Sequence, residues 1–166
     1  MHPLIVITGT PGTGKSTLAK KIARKLGFNR LDLHHHYPRL AVGYNHKKKC
    51  YDINLLKFSR LVKEKLTETK KGLIVDSHIA HLLPRRLVTL CLVVTCPDLK
   101  QLQKRLQKRN YSPEKISENL EAEIFQVCQE EAEAKRHRIV VMDTSLPSAQ
   151  KMKKVLDALK KPRKSL

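Results

Sequence analysis

The stretch ITGTPGTGKST, at positions 7–17, constrains the fold more than any other part of the chain. It places three glycines between an apolar run, residues 4–7, and a segment of helical periodicity. Its glycines, lysine and serine fit G-x-x-x-x-G-K-[ST], in which backbone N–H groups surround phosphates, the lysine reaches the β and γ phosphates and the hydroxyl contacts Mg²⁺. The following helix adds unpaired N–H donors and the positive end of its dipole. The predicted phosphate-binding residues are Gly9, Gly12, Thr13, Gly14, Lys15, Ser16 and Thr17.

Apolar strand patterns alternate with helical patterns along the chain, and the length of 166 residues suits one domain. The predicted strands are residues 4–7, 73–75, 90–94 and 139–142, with a weaker one at 30–33. The predicted helices are residues 15–26, 53–69, 98–108, 112–134 and 148–159. Strands separated by helices favour an α/β fold with a helix-covered parallel sheet.

The chain carries a large surplus of positive charge. Lysine and arginine total 34 against 15 acidic residues, which gives a net charge of +19. Such a field favours polyanions, although a basic surface without any partner is the alternative. No apolar stretch reaches the length of a membrane span, so we expect a soluble, intracellular protein. The four cysteines show no C-x-x-C pairing and are expected to be reduced packing residues.

A second feature is the sequence GLIVDSHIAHLLP, at positions 72–84. Here an apolar strand ends in Asp76, and P-loop proteins place an acidic residue beside Mg²⁺ at the carboxyl end of a neighbouring strand. A turn or helix cap is the other role open to this aspartate. His78 follows two residues later, where it could orient a water or a substrate hydroxyl, or could simply be a half-buried histidine.

The motifs TGTPGTGKST, VDSH followed by LP, and RLQKRNYSPEKISENLEAEIFQVCQEEA together resemble the adenylate kinase isoenzyme 6 family, also known as ribosome assembly ATPases. The resemblance implies a nucleoside monophosphate kinase fold, with a five-stranded parallel sheet, a small monophosphate-binding insertion and a short lid. It also implies adenylate kinase and ATPase activity with ATP, AMP and Mg²⁺, and a role in maturation of the small ribosomal subunit through a ribosomal protein. The whole chain would form this domain, with the insertion at 32–55, the lid at 105–115 and a basic tail at 160–166.

The resemblance also implies roles for individual residues. Lys15 would contact the ATP phosphates, Ser16 and Asp76 would hold Mg²⁺, and Asp76 and His78 match the D-x-H pair of the family. Arg105 and Arg109, one helical turn apart, would neutralise the transferring phosphoryl group; solvated helix charge is the alternative. The loop 143–147, of sequence DTSLP, follows the last strand where related kinases hold adenine through backbone atoms.

The chain departs from the family pattern chiefly in the insertion. Residues 32–55 are rich in histidine and lysine where relatives are acidic, which puts the monophosphate specificity in doubt. Arg39 could bind an AMP phosphate bidentately. In the lid, Asn110 stands where relatives often have glycine, a mild change because asparagine tolerates a left-handed backbone. A metal site at His34 to His36 is disfavoured, because consecutive histidines point to alternate sides.

Two function classes remain open from the sequence. The first is a small-molecule enzyme that transfers a phosphoryl group from ATP to AMP, with another small kinase of the same fold, such as a cytidylate or shikimate kinase, as a variant. The second is an ATP-switched assembly factor that binds a ribosomal protein or rRNA, cytoplasmic in a prokaryote and nuclear in a eukaryote.

Overall fold

The computed structural model describes residues 2–46 and 50–161. Five parallel strands form one sheet in the order β2-β5-β1-β6-β7. Their bounds are β1 (Leu4–Thr8), β2 (Asn29–Asp32), β5 (Leu73–Asp76), β6 (Leu90–Thr95) and β7 (Ile139–Asp143). The predicted five-stranded parallel sheet is therefore confirmed, and β1, which leads into the glycine loop, lies at its centre with β5 and β6 on either side.

Helices cover the sheet and connect its strands. The longer ones are α1 (Lys15–Leu26), α3 (Leu55–Thr67), α4 (Leu99–Gln107), α5 (Pro113–Ile124), α6 (Val127–Ala134) and α7 (Ser148–Lys160). Side chains cap several of them at the first turn. Ser112 accepts a hydrogen bond from the Lys115 backbone N–H with Pro113 in the first turn, as predicted from the sequence.

Two hydrophobic cores fill the space on either side of the sheet. One core packs strand residues such as Val6 and Val75 against Phe58 and Val62 of α3 and Ala132 of α6. The other packs strand side chains against α1 and α7. Because both faces are covered, the strand residues from Leu4 to Ile7 have no exposed surface, as expected for a buried parallel sheet.

The structure corrects two of the predicted helices. The predicted helix 112–134 is two helices, α5 and α6, because Gln126 adopts a left-handed conformation with φ of 51° between them. The predicted helix 53–69 starts at Leu55 and ends at Thr67, since Ile53 is the last residue of a strand and Asn54 caps the helix.

An antiparallel hairpin that the sequence did not predict precedes α3. It pairs β3 (Ala41–Asn45) with β4 (Cys50–Ile53), after a 3₁₀ turn (Leu33–His36) and the short helix α2 (Tyr37–Leu40). The hairpin forms its own two-stranded sheet and does not join the main one. It lies within the segment 32–55 that was expected to bind the monophosphate. The lysines at positions 47–49 and the tail residues 162–166 lie outside the described residues.

Three cysteines, Cys91, Cys96 and Cys128, are free, as predicted for packing residues. Within the described residues, no helix combines the length and the apolar character needed to cross a bilayer.

Candidate active site

The glycine loop connects β1 to α1 and takes backbone conformations that side chains would disturb. Gly9 has a φ of 136°, and a Cβ atom there would lie 2.2 Å from the carbonyl oxygen of Val94. Gly14 has a φ of 92° and immediately precedes the first residue of α1. The loop therefore packs tightly against β6 and turns directly into a helix N-terminus, the geometry that presents backbone N–H groups to phosphates.

Side chains within the loop hold its shape. The Thr13 hydroxyl donates to the Thr10 carbonyl oxygen at 2.8 Å, and Lys15 Nζ donates to the same oxygen at 2.9 Å. Desolvation lowers the pKa of Lys15 to about 8, against the raising effects of Cys128 and Asp76. The ammonium group is thus held in the loop with less neutralising charge than its burial requires. A phosphate there would supply that charge.

A cavity of about 500 Å³ opens beside the loop. It is lined by Gly12, Thr13, Gly14, Thr17, Leu18, Lys21, Val94, Arg105, Lys108, Arg109, Met142, Thr144, Ser148 and Lys151. Of these lining residues, Arg105 donates to the Gly12 carbonyl oxygen at 3.2 Å. Lys151 Nζ donates to the Thr144 carbonyl oxygen at 2.8 Å, in the loop that follows β7. The cavity has the size of a small-molecule site.

The cavity brings together only part of the predicted site. Of the predicted residues, it includes Gly12, Thr13, Gly14, Thr17, Arg105 and Arg109. Asp76 and His78 lie at or just beyond the carboxyl end of β5, outside this lining. Lys15, which is also outside the lining, interacts electrostatically with residues of both groups, since Asp76 raises its pKa, Arg109 lowers it, and its own charge lowers the pKa of His78.

Asp76 is buried, with 3% of its side chain exposed, and it forms an ion pair that the sequence did not predict. Arg30 Nη2 lies 2.7 Å from Asp76 Oδ2 and 2.7 Å from Asp32 Oδ2. The two carboxylates are neighbours because Asp32 of β2 pairs in register with Asp76 of β5. One guanidinium therefore neutralises two carboxylates that would otherwise repel each other at the carboxyl ends of adjacent strands.

His78 is exposed at the residue level and points its ring toward Tyr37. The Tyr37 hydroxyl lies 3.2 Å from His78 Nδ1 and 3.5 Å from Ser77 Oγ. Desolvation of the ring by the surrounding protein atoms and the positive charge of Lys15 lower the pKa of His78 to about 4. His78 is therefore neutral at pH 7 and can accept or donate a hydrogen bond in the cleft.

A buried histidine fixes the turn that carries His78. His81 Nδ1 lies 2.6 Å from the hydroxyl of Thr8, the last residue of β1, and its Nε2 lies 2.7 Å from Glu131 Oε2 of α6. Because a carboxylate only accepts hydrogen bonds, Nε2 carries a proton. The Thr8 hydroxyl also lies 3.0 Å from the His78 carbonyl oxygen. The turn after β5 is thus attached to the central strand and to α6.

The residues predicted to hold Mg²⁺ have the chemistry that this ion prefers. Ser16 supplies a hydroxyl in the first turn of α1, and Asp76 supplies a carboxylate within electrostatic reach of Lys15. Mg²⁺ in such sites uses one or two carboxylates together with waters and substrate phosphates. Asp76 Oδ2 already accepts a hydrogen bond from Arg30, which leaves Oδ1 for this purpose. No cluster of three or more His, Cys, Asp or Glu side chains arranged to hold a metal occurs within residues 2–46 and 50–161.

The comparisons with known proteins agree with this geometry. A family model described as AAA domain matches residues 5–126. A Caenorhabditis elegans protein named adenylate kinase isoenzyme 6 homolog is 33% identical, over 95% of this chain and 87% of its own length. A protein of the same name from Schizosaccharomyces pombe is 36% identical, over 95% of this chain and 89% of its own length. The chain belongs to the adenylate kinase isoenzyme 6 family.

Solved structures show the same P-loop fold at low sequence identity. A deoxyadenosine kinase from M. mycoides superposes with a TM-score of 0.57 at 17% identity, covering 94% of this chain and 97% of that one. TT1252 from Thermus thermophilus superposes with a TM-score of 0.59 at 20% identity, covering 96% and 97%.

The sequence of this isoenzyme 6 family member did not lead us to two residues of the site, Arg30 and Tyr37. Arg30 could have been found from the pairing of the weak strand 30–33 with the strand that ends at Asp76, because both carry an aspartate at the same edge. Tyr37 gives no such signal, since its contact with His78 depends on the path of residues 33–40 over the sheet edge. Asn110, which stands where relatives often have glycine, has a φ of 56°, the left-handed conformation that asparagine tolerates.

Proposed function

We propose that the protein transfers the γ-phosphoryl group of ATP to AMP. Supporting this reaction is the glycine loop, which lies beside a cavity large enough for a nucleotide and carries Lys15, a cation that interacts electrostatically with Asp76, His78 and Arg109. Phosphoryl transfer between two nucleotides requires a donor site and an acceptor site that meet near a cation. The cation stabilises the negative charge between donor and acceptor in the transition state. The relatives named as adenylate kinase isoenzyme 6 homologs support the choice of ATP and AMP.

The donor side follows from the loop and the cavity. ATP would place its adenine and ribose in the cavity, against the loop 143–147, and its phosphates over residues 9–17. Lys15 would exchange its hydrogen bond to the Thr10 carbonyl for the β and γ phosphates. Arg105 and Arg109 of the lid would approach the transferring group, with Arg105 already placed against the loop at Gly12. Mg²⁺, held by Ser16 and by Asp76, would neutralise phosphate charge.

The acceptor side lies toward the hairpin. An oxygen of the AMP phosphate would attack the γ phosphorus, and the bond to the β–γ bridging oxygen would break to leave two molecules of ADP. His78, neutral and held by Tyr37, would orient the attacking group, and water in that position would give ATP hydrolysis. Arg39, exposed on α2, is the arginine of this segment that could bind the AMP phosphate.

A second candidate function is supported by the charge. The chain carries a net charge of +19. Within residues 2–46 and 50–161, and leaving Lys115 out of the count, Arg30 and Lys65 are the only arginine and lysine side chains that form ion pairs with carboxylates. A surface with so many unpaired cations suits a polyanion. We therefore propose that ATP binding and hydrolysis also regulate assembly of the small ribosomal subunit, through a ribosomal protein or rRNA, in the nucleus of a eukaryote or the cytoplasm of a prokaryote.

One panel of assays separates these proposals. ADP formation from ATP is measured with AMP, CMP, GMP, UMP, shikimate or no acceptor, and phosphate release is measured with and without a small-subunit ribosomal protein. We expect ADP formation to be fastest with AMP and to require Mg²⁺. Phosphate release that rises with the ribosomal protein, without any transfer to AMP, would instead favour the assembly factor. Faster transfer to another acceptor would overturn the assignment of AMP.

A further inference from the structure

A row of aromatic rings extends from the far end of the hairpin to the candidate active site. Tyr44 lies 5.0 Å from His46 and 5.0 Å from Tyr51, measured between ring centroids. Tyr51 lies 6.3 Å from Tyr37, which in turn lies 6.2 Å from His78. Each ring meets the next edge-on or tilted. We refer to Tyr37, Tyr44, His46 and Tyr51 as the ring row.

The outer part of the ring row is partly exposed. Tyr44 is 43% exposed and Tyr51 is 40% exposed, and the neighbouring Val42 is 68% exposed. The strands that carry them pair only with each other and do not join the main sheet. By contrast, the buried rings of a folded core are in contact on all sides, as Phe58 is at 0% exposure. These tyrosines are therefore available to a binding partner.

The segment that follows the hairpin in the chain carries exposed positive charge. Helix α3 starts at Leu55, two residues after the hairpin ends, and presents the exposed side chains of Lys57, Arg60 and Lys63. In the described part of the chain, none of these three forms an ion pair with an acidic side chain. The hairpin itself contributes one exposed acid, Asp52. Exposed aromatic rings, followed closely in the chain by unpaired cations, match the chemistry of a single-stranded polynucleotide, whose bases stack on rings while its phosphates contact cations.

We propose that the ring row and the α3 cations form a binding surface for single-stranded RNA. This inference rests on the proposed assembly role, and it adds where the RNA binds and which strand state is recognised. Bases would stack on Tyr44 and Tyr51, and the backbone would follow Lys57, Arg60 and Lys63. A base-paired duplex hides its base faces, so the surface discriminates against duplex RNA. A protein partner without an acidic surface is disfavoured, because the α3 cations would lose hydration without gaining an anion.

The ring contribution is tested by fluorescence anisotropy with a labelled 12-nucleotide uridine RNA, at several salt concentrations. We expect the Tyr44→Leu/Tyr51→Leu protein to bind about 10-fold or more weakly, because each stacked base is worth that order of affinity. The slope of log K against log salt should stay as in the wild type, since no cation is lost. The matched Tyr44→Phe/Tyr51→Phe protein keeps the rings and should bind as the wild type does. Thermal unfolding verifies that all variants are folded.

The charge contribution is tested with the triple variant Lys57→Gln/Arg60→Gln/Lys63→Gln. We expect its salt slope to become shallower by about 0.7 for each RNA phosphate that the variant no longer neutralises. The control carries the same change of charge on α7, which packs near β7 at the opposite edge of the sheet from β2. That control neutralises the exposed residues Lys153, Lys154 and Lys160 and should leave the slope nearly unchanged.

Several results would overturn the proposal. These are equal loss of affinity in the two triple variants, wild-type affinity in the leucine variant, equal binding of duplex RNA, or no RNA binding at low salt. Capture of a ribosomal protein by the hairpin in place of RNA would overturn it as well. The assay needs no turnover, so a protein that binds RNA as described but transfers no phosphoryl group would contradict the kinase proposal and leave this one standing.

Discussion

Replacing Arg30 by methionine removes the cation that lies between two carboxylates at the edge of the sheet. The guanidinium donates to Asp32 and to Asp76 at 2.7 Å each, and its exposed fraction is 19%. Methionine keeps much of the side-chain volume, so the change isolates the charge. Without Arg30, the buried Asp76 carboxylate has a second carboxylate as its register neighbour. We therefore expect the variant to have a lower free energy of unfolding and a less fixed position of the Asp76 carboxylate.

The size of the effect follows from how deeply each partner is buried. An exposed ion pair contributes about 0–1 kcal/mol, whereas breaking a buried pair costs about 3–5 kcal/mol. Asp76 is 3% exposed but Arg30 and Asp32 are 19% and 25% exposed, which places this cluster between the two limits. We expect Arg30→Met to lower the free energy of unfolding by about 2–3 kcal/mol, or about 5–10 °C in Tm for a chain of this size. The control variant is Arg86→Met, because Arg86 is exposed and forms no ion pair within the described residues. We expect it to change the free energy of unfolding by less than about 0.5 kcal/mol.

Urea unfolding of a double-mutant cycle measures the coupling directly. The cycle comprises Arg30→Met, Asp76→Asn and the double variant, all without nucleotide. Since Asp76→Asn removes the carboxylate that Arg30 neutralises, the double variant should lose about 1–2 kcal/mol less than the sum of the single variants. Additive losses, or an Arg30→Met protein as stable as the wild type, would refute the claim that this cluster depends on its central cation.

Three further predictions concern the proposed site and the buried histidines. Lys15→Ala should remain folded but lose ATP binding and turnover, which isothermal calorimetry and ADP formation measure together. Asp76→Asn should lose most activity at saturating Mg²⁺, and His78→Ala should lower kcat by about 10²-fold with little change in ATP affinity; normal ATP turnover in both would contradict their roles. Burial lowers the pKa values of His81 and of His137, whose Nε2 lies 2.7 Å from the His81 carbonyl oxygen. The unfolded chain therefore binds more protons, and stability should fall as the pH drops below about 6.5. Unfolding at pH 7.5 and 5.5 tests this, and equal stability at both would contradict it.

The sequence predicted the elements whose local pattern and tertiary role agree. Strands such as residues 4–7 and 139–142 are continuous apolar runs, and Ser112 and Pro113 mark a helix start by local chemistry. The break at Gln126 could not be predicted, because glutamine rarely adopts a left-handed conformation and the helical periodicity continues across it. The hairpin of residues 41–53 was missed for a related reason, since its exposed strands lack the alternation of a half-buried sheet.

The candidate site likewise has one part that the sequence predicted and another that it did not. The loop residues 9–17 were predicted because their chemistry is contained in a contiguous motif, and four of them, Gly12, Thr13, Gly14 and Thr17, line the cavity. The contacts of Asp76 with Arg30 and of His78 with Tyr37 join residues 46 and 41 positions apart in the sequence. Such contacts depend on strand order and on the path of a connecting segment, which a single sequence does not specify.

The central claim is that one site transfers a phosphoryl group from ATP to AMP, and a single-turnover experiment tests it most directly. Protein in excess is mixed with γ-³²P-ATP, Mg²⁺ and unlabelled AMP, and the labelled products are separated over time. We expect the label to appear first in the β phosphate of ADP formed from AMP, and the Lys15→Ala protein to form none. Release of all label as inorganic phosphate, at a rate that AMP does not change, would contradict the claim.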